Sequence, residues 1–176
     1  SISLSGTDAT KFNISNGYLV FSNLPDYENP TDADNDNSYS LTLNASGAGI
    51  SSTKAFTVTV TNVNEAPVIT TDSSSAFSVL ENTTTVTTIS ASDPENDLIT
   101  FSLQDSSGSQ DEALLEINSS TGIILFKAAP NFESPTDIDA NNSLTFTVVA
   151  SDGNISSSKE FYASVSNVSE KATDIT

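Results

Sequence analysis

Apolar and polar side chains alternate along most of this chain in short runs, as in Leu144-Thr145-Phe146-Thr147-Val148 and Phe161-Tyr162-Ala163-Ser164-Val165. A period of two places every second side chain on one face of an extended strand, so each such run predicts a half-buried β-strand. In the C-terminal part the pattern predicts seven strands, lettered A to G: Phe77–Leu80, Val86–Ala91, Leu98–Leu103, Leu114–Ile117, Gly122–Phe126, Leu144–Ala150 and Lys159–Val165. The N-terminal part yields five: Ile2–Leu4, Phe12–Ile14, Tyr18–Phe21, Tyr39–Leu43 and Ala55–Val60. Clusters of Asn, Asp, Ser, Gly and Pro separate them, and helix signals are almost missing, so the fold class is all-β.

The two sets of strands are copies. A shift of 105 residues superimposes Pro25-Asp26-Tyr27-Glu28-Asn29-Pro30-Thr31-Asp32 on Pro130-Asn131-Phe132-Glu133-Ser134-Pro135-Thr136-Asp137. It also brings Thr61-Asn62-Val63-Asn64-Glu65 onto Ser166-Asn167-Val168-Ser169-Glu170. An internal repeat of this length predicts tandem sandwiches: a partial unit over residues 1–66 carrying strands C to G, a complete unit over 67–170, and the start of a linker to a following repeat at 171–176. The first copy lacks its A and B strands and cannot close a sandwich alone.

Composition narrows the function. Lys and Arg number 5 against 23 carboxylates, for a net charge of −18. That charge repels nucleic-acid phosphates and anionic lipid heads, which removes both as partners. No apolar run is long enough for a transmembrane helix, so direct membrane insertion is not expected, and an export signal would lie outside this stretch. With no Cys and no His there is no thiolate or imidazole ligand, and the usual nucleophile and base pairings of an enzyme cannot be built. The chain is read as a non-enzyme.

Where the acids fall is more informative than how many there are. If successive strands run up and down a sandwich, the B–C and F–G loops of the second copy lie at its N-terminal end, beside the linker. The E–F loop of the first copy reaches the same place. Those segments carry Asp26 and Glu28, then Asn62, Asn64 and Glu65, then Asp93, Glu95 and Asp97, and finally Asp152. Like charges about 4 Å apart cost roughly 1 kcal/mol even in bulk water, so such convergence calls for a cation. An all-oxygen donor set of irregular geometry suits Ca²⁺ better than Mg²⁺, which demands a tight octahedron, or Zn²⁺, which prefers nitrogen and sulfur.

Further candidates are Asp32, Asp34 and Asp36 in the long E–F loop, together with Asn154. Their alternation is like the opening of an EF-hand loop, but the glycine at position 6 and the glutamate at position 12 are missing, so no EF-hand is expected.

Together these motifs resemble cadherin-like repeats of the bacterial type. Asn62-Val63-Asn64-Glu65-Ala66-Pro67 is similar to the family's Asp-x-Asn-Asp-Asn-x-Pro linker, one residue shorter. Asp26-Tyr27-Glu28 resembles its Asp-Arg-Glu element, Asp93-Pro94-Glu95-Asn96-Asp97 its Asp-Ala-Asp loop, and Ala150-Ser151-Asp152-Gly153 its Ala-x-Asp-Gly element. Val79-Leu80-Glu81-Asn82 resembles the strand-A glutamate motif, and the resemblance implies that Glu81, Glu133, Asn167 and Glu170 form half of a second calcium site at the far end. In the first copy Gly47 stands where the second has Asp152. The resemblance implies seven-stranded Greek-key β-sandwiches of cadherin/Ig-like form, joined end to end by calcium in a large surface or secreted protein. It implies a structural or adhesive extender whose partners are calcium and neighbouring repeats.

A polysaccharide- or protein-binding module is the alternative, with a homotypic partner as a further possibility. Tyr27, Tyr39, Phe56, Phe101, Phe132 and Phe161 could form a stacking platform for saccharides, but their strand spacing predicts core or edge packing.

Overall fold

The computed structural model describes residues 1–105, 108 and 111–170; the expected linker at 171–176 lies outside them. The chain forms two compact units, Ser1–Val63 and Asn64–Thr176. Among the described residues, regular structure is β apart from two short 3-10 turns.

In the first unit, β1 (Ile2–Ser5), β4 (Ser38–Gly47) and β5 (Ile50–Thr59) make a sheet in the order β1-β4-β5, and β2 (Phe12–Ser15) pairs with β3 (Tyr18–Phe21). Both hairpins close through two-residue turns, Asn16-Gly17 and Ala48-Gly49, whose four residues all have positive φ, between 50° and 84°. Turns of that hand match the natural twist of the strands they join. The core is small: Phe12, Tyr39 and Leu41 are buried, and Phe21 meets Tyr39 edge-on at 5.2 Å between ring centroids.

The second unit adds β6 (Val68–Ile69), β7 (Phe77–Leu80), β8 (Thr85–Thr88), β9 (Ala91–Ser92), β10 (Thr100–Gln104), β11 (Leu115–Ile117), β12 (Ile123–Phe126), β13 (Ser143–Ser151) and β14 (Ser156–Ser166). One sheet runs β10-β13-β14-β7 and another β11-β12-β8. Phe101, Phe146, Val148, Phe161, Ala163 and Val165 of the first meet Leu115, Ile124 and Phe126 of the second in one buried cluster. Two sheets closed over one apolar core are the sandwich that the alternation predicts. A Val, Leu or Phe side chain buried in this way contributes about 1.5–3 kcal/mol, and this unit buries many more of them than the first.

Strand edges differ from the sequence reading: β4 runs on to Gly47, past the expected Leu43, β5 opens at Ile50 rather than Ala55, and β14 opens at Ser156 rather than Lys159. Strand A extends further back: β6 pairs antiparallel with β9, and the chain then crosses to run parallel to β14 as β7. A two-residue strand has no alternation to reveal it. Strand B breaks after Thr88, where Ser90 turns to Thr71 Oγ1 at 2.7 Å. Leu98, expected to open strand C, is 83% exposed, and that strand starts at Thr100.

Gly122 fixes the β11–β12 turn. Its φ is +70°, and a Cβ there would sit 2.2 Å from the Ile89 carbonyl oxygen, on the residue whose N–H donates to the Gly122 carbonyl at 2.9 Å. Gly122→Ala is expected to lower the stability of this unit by about 2 kcal/mol through left-handed strain and displaced backbone. A shifted urea midpoint measures it.

Candidate metal centre

Glu81 follows β7 and is 1% exposed. Its Oε1 accepts the Val168 N–H at 2.7 Å and its Oε2 the Phe132 N–H at 2.9 Å. These bonds, that from Val168 first, hold the Glu81 carboxyl below the ordinary glutamate range. Around it stand Glu133 and Glu170, with carboxylate oxygens of all three within 4.8 Å of one another. Asn167 donates its side-chain amide to Glu133, and Asn82 donates to Glu170 Oε1 at 3.2 Å. All of the expected half-site, Glu81, Glu133, Asn167 and Glu170, is therefore brought together within one unit.

A carboxylate whose folded-state pKa is depressed adds stability above its unfolded pKa of about 4.3, and that contribution is lost as pH falls through the lower folded value. Glu81→Gln is expected to reduce stability at neutral pH and to flatten the acid limb below about pH 4.3. Urea midpoints across pH 2.5 to 7, a range of about five units around the unfolded value, measure the slope of each protein.

A second oxygen-rich group surrounds the start of this unit. Asn64 donates to Asp152 Oδ2 at 2.6 Å, while Asp152 Oδ1 accepts the Asn154 and Ile155 N–H groups at 2.6 and 2.7 Å. The Asn64 amide leads in holding the Asp152 carboxyl below the usual aspartate range. Asp93 Oδ1 accepts the N–H groups of Glu95 and Asp97 at 3.0 and 3.1 Å, and the Glu65 N–H points to Glu95 Oε2 at 3.5 Å. Carboxylate oxygens of Glu65 and Glu95 come within 4.8 Å. Asp93 Oδ2 and Glu95 Oε1 are buried with no hydrogen-bond partner. A buried carboxylate oxygen without a donor is costly, which is the condition that a cation relieves. Asn64 and Asp152 are thus joined to each other, and Glu65, Glu95 and Asp93 lie together with the Asp97 backbone bound to Asp93; Asn154 meets Asp152 through its backbone N–H, and its side chain is exposed.

In the first unit Asp26 closes a tight turn. Its Oδ2 accepts the Asn29 amide at 2.9 Å and its Oδ1 the Glu28 N–H at 3.0 Å, and the Asn29 side chain leads in lowering its pKa. Asn62 is exposed near the end of that unit. Asp32, Asp34 and Asp36 have carboxylate oxygens within 4.8 Å of one another. Asp32 is 4% exposed and accepts the N–H groups of Asp36 and Asn37 at 2.8 and 3.2 Å. Burial opposes its ionisation, yet those N–H groups prevail and its pKa is lowered, while Asp34, hydrogen-bonded to Asp32 and facing the Asp36 charge, is pushed up. Asp137 makes the same two bonds, to Asn141 and Asn142 at 2.7 and 3.3 Å, with the neutral Asn141 where the first unit has Asp36. Holding the loop is the shared role; the extra charge of Asp36 is particular to the first copy.

Sequence reasoning missed Asp8 and Asp111. Asp8 is 2% exposed and accepts the Ala33 and Ser40 N–H groups at 2.8 and 2.7 Å. Asp111 is 4% exposed and accepts those of Ile138 and Thr145 at 3.2 and 3.0 Å. Each carboxylate ties the long acidic loop to the strand that follows it. The signal was present but displaced: these two align at an offset of 103, not 105, because the β11–β12 turn is longer than Asn16-Gly17.

Comparison with known proteins gives one family match, the bacterial Ig domain, over residues 64–161. The chain belongs to this family. Among solved structures, this bacterial Ig domain protein is similar to human protocadherin-24 EC1-2, with a TM-score of 0.60, 18% identity and coverage of 97% of this chain and 82% of that one. It is also similar to protocadherin gamma B2 extracellular cadherin domains 3-6 (TM-score 0.56, 23% identity, 94% of this chain and 40% of that one). A third is the protocadherin gammaB7 EC3-6 cis-dimer structure (TM-score 0.55, 26% identity, 96% and 40%). The chain thus spans well under half the length of the two gamma protocadherin structures. No curated protein matches it. The fold is that of a cadherin/Ig-like β-sandwich. Among the described residues, no helix is long and apolar enough to cross a membrane.

Tyr39, Phe101 and Phe161 are buried and Phe56 and Phe132 half-buried, in agreement with packing, while Tyr27 lies on an exposed loop at 39%. No cluster of exposed aromatic rings forms among these six.

Proposed function

We propose that this chain is part of an extracellular or cell-surface array of bacterial Ig-like repeats, and that calcium stiffens the joints between repeats. The observation that carries this reading is the pair of buried, partnerless carboxylate oxygens on Asp93 and Glu95, beside Glu65 at the start of the second unit. Oxygen is the only donor type on offer, and calcium accepts 6 to 8 such ligands in irregular arrangements. Asn64, Glu65, Asp93, Glu95, Asp97 and Asp152 would hold it there, and the cadherin resemblance adds Asp26, Glu28 and Asn62 from the repeat before. Glu81, Glu133, Asn167 and Glu170 would play the matching part for a repeat that follows. Bound calcium supplies positive charge that cancels carboxylate repulsion and so restricts bending of the linker.

The reading assigns no catalysis. Residues 1–66, 67–170 and 171–176 would be successive parts of one array, with calcium and adjacent repeats as partners and adhesion as the property of the assembled protein.

Isothermal titration of the whole chain with CaCl₂ is expected to give binding heat, and small-angle scattering a narrower distribution of dimensions than in EGTA. The double substitution Asp93→Asn with Glu95→Gln is expected to remove at least one binding event. Absence of heat together with unchanged scattering sinks the proposal.

A further inference from the structure

The β2–β3 hairpin and its counterpart β11–β12 close on asparagines held in different ways. In the second unit Asn118 opens the longer turn, and its Oδ1 accepts the Ser120 and Thr121 N–H groups, both at 3.0 Å. In the first unit Asn16 stands at the exposed tip, followed directly by Gly17. Ser15 pairs with Tyr18, so the Gly17 nitrogen lies outside the ladder. Among the described residues no hydrogen bond engages the Asn16 side chain, and a Cβ added at Gly17 would meet nothing within 4 Å.

The other acid or amide side chain that precedes a glycine is Asp152, before Gly153. Its Oδ1 accepts the Asn154 and Ile155 N–H groups and its Oδ2 the Asn64 amide. Turning that side chain toward the Gly153 nitrogen would cost all three bonds. Asn16 has no such restraint.

We propose that Asn16 is a site of spontaneous covalent modification, where the protein loses ammonia and acquires aspartate and isoaspartate. Asparagine is a thermolabile side chain, and a following glycine, with no Cβ, least hinders rotation of the shared peptide toward it. The Gly17 nitrogen attacks Asn16 Cγ: a Cγ–N bond forms, the Cγ–Nδ2 bond breaks, and Nδ2 leaves as ammonia with the proton that the Gly17 nitrogen gives up. Water then opens the cyclic imide. Cleavage at Cγ leaves aspartate on an unaltered main chain. Cleavage at the main-chain carbonyl carbon leaves isoaspartate, whose main chain passes through Cγ and is longer by one carbon. Overall one water enters and one ammonia departs.

The two products differ in effect. The turn holds Asn16 and Gly17 at φ of 52° and 84°, the hand that matches the twist of its strands. Aspartate tolerates that conformation, whereas an extra main-chain carbon breaks the match. β2 and β3 bring Phe12 and Phe21 to 4.4 Å between ring centroids, so a loosened hairpin opens the small core of the first unit. The inference is independent of calcium.

The test is peptide mapping by mass spectrometry of the whole folded chain, incubated with EGTA in warm, mildly alkaline buffer, with fragmentation that separates isoaspartate from aspartate. Asn16 is expected to lose its amide before any other asparagine, with isoaspartate among the products and Asp152 unchanged. The urea midpoint of the first unit should fall in the isoaspartate form and stay near the parent value in Asn16→Asp. Asn16→Gly keeps a turn of the same hand and should show no drift in midpoint over the same incubation. Earlier loss of the amide at another asparagine overturns the proposal, as does an Asn16 amide still intact when a free peptide of residues 12–21 has converted. Isoaspartate at this position with an unchanged midpoint overturns its structural consequence.

Discussion

Calcium is expected to stabilise this protein by several kcal/mol and chelation to remove that gain. A ligand that binds only the folded state adds about 2.7 kcal/mol at a concentration 100 times its dissociation constant, for each independent site. The melting temperature should therefore climb with calcium concentration and return on adding EGTA. Magnesium at the same concentration should do much less, since it gives up its waters reluctantly and demands an octahedron that these loops were not built to match. The doubly substituted Asp93→Asn, Glu95→Gln protein separates the causes. It keeps the shape of the loop but removes two charges, so its melting temperature without calcium should hold or rise while the calcium response shrinks. A response that stayed at the parent level would place the ion elsewhere.

The second large effect concerns residues outside any metal reading. Asp111→Ala is expected to destabilise the second unit by about 3 kcal/mol, because two N–H groups, on Ile138 and Thr145, lose the buried carboxylate that accepts them. Asp111→Asn retains one carbonyl acceptor and should cost less. Asp8→Ala is expected to act alike in the first unit through Ala33 and Ser40. Chemical denaturation read by tyrosine fluorescence provides the ordering, and a loss equal for Ala and Asn would show that bond count is not what sets it.

Loop residues explain why some of this was visible early and some was not. Glu81, Glu133 and Glu170 were legible as a set because each sits in a motif that recurs or resembles a known pattern. Asp32 was read as a metal candidate from its neighbours alone, yet its two backbone bonds recur at Asp137 with a less acidic loop, which makes it first a loop clamp. Nothing local to Asp8 or Asp111 distinguishes either from the many exposed acids in the chain. Their burial follows from the return of the long loop over a 3-10 turn, a contact between segments 25 or more residues apart.

Alternation of apolar side chains determined by itself that the chain is all-β and where most strands run, since a period of two leaves no other regular structure able to bury one face. The recurrence of Pro25–Asp32 as Pro130–Asp137 at a shift of 105 residues was likewise legible in the sequence alone. Only the tertiary structure decided that strand A divides between two partners, that Asp93 and Glu95 each bury a partnerless oxygen, and that Phe56, Val58 and Leu19 are left half-covered. Those outcomes depend on which edges and loops meet across the sandwich, and a one-dimensional pattern carries no record of distances between residues far apart in the chain.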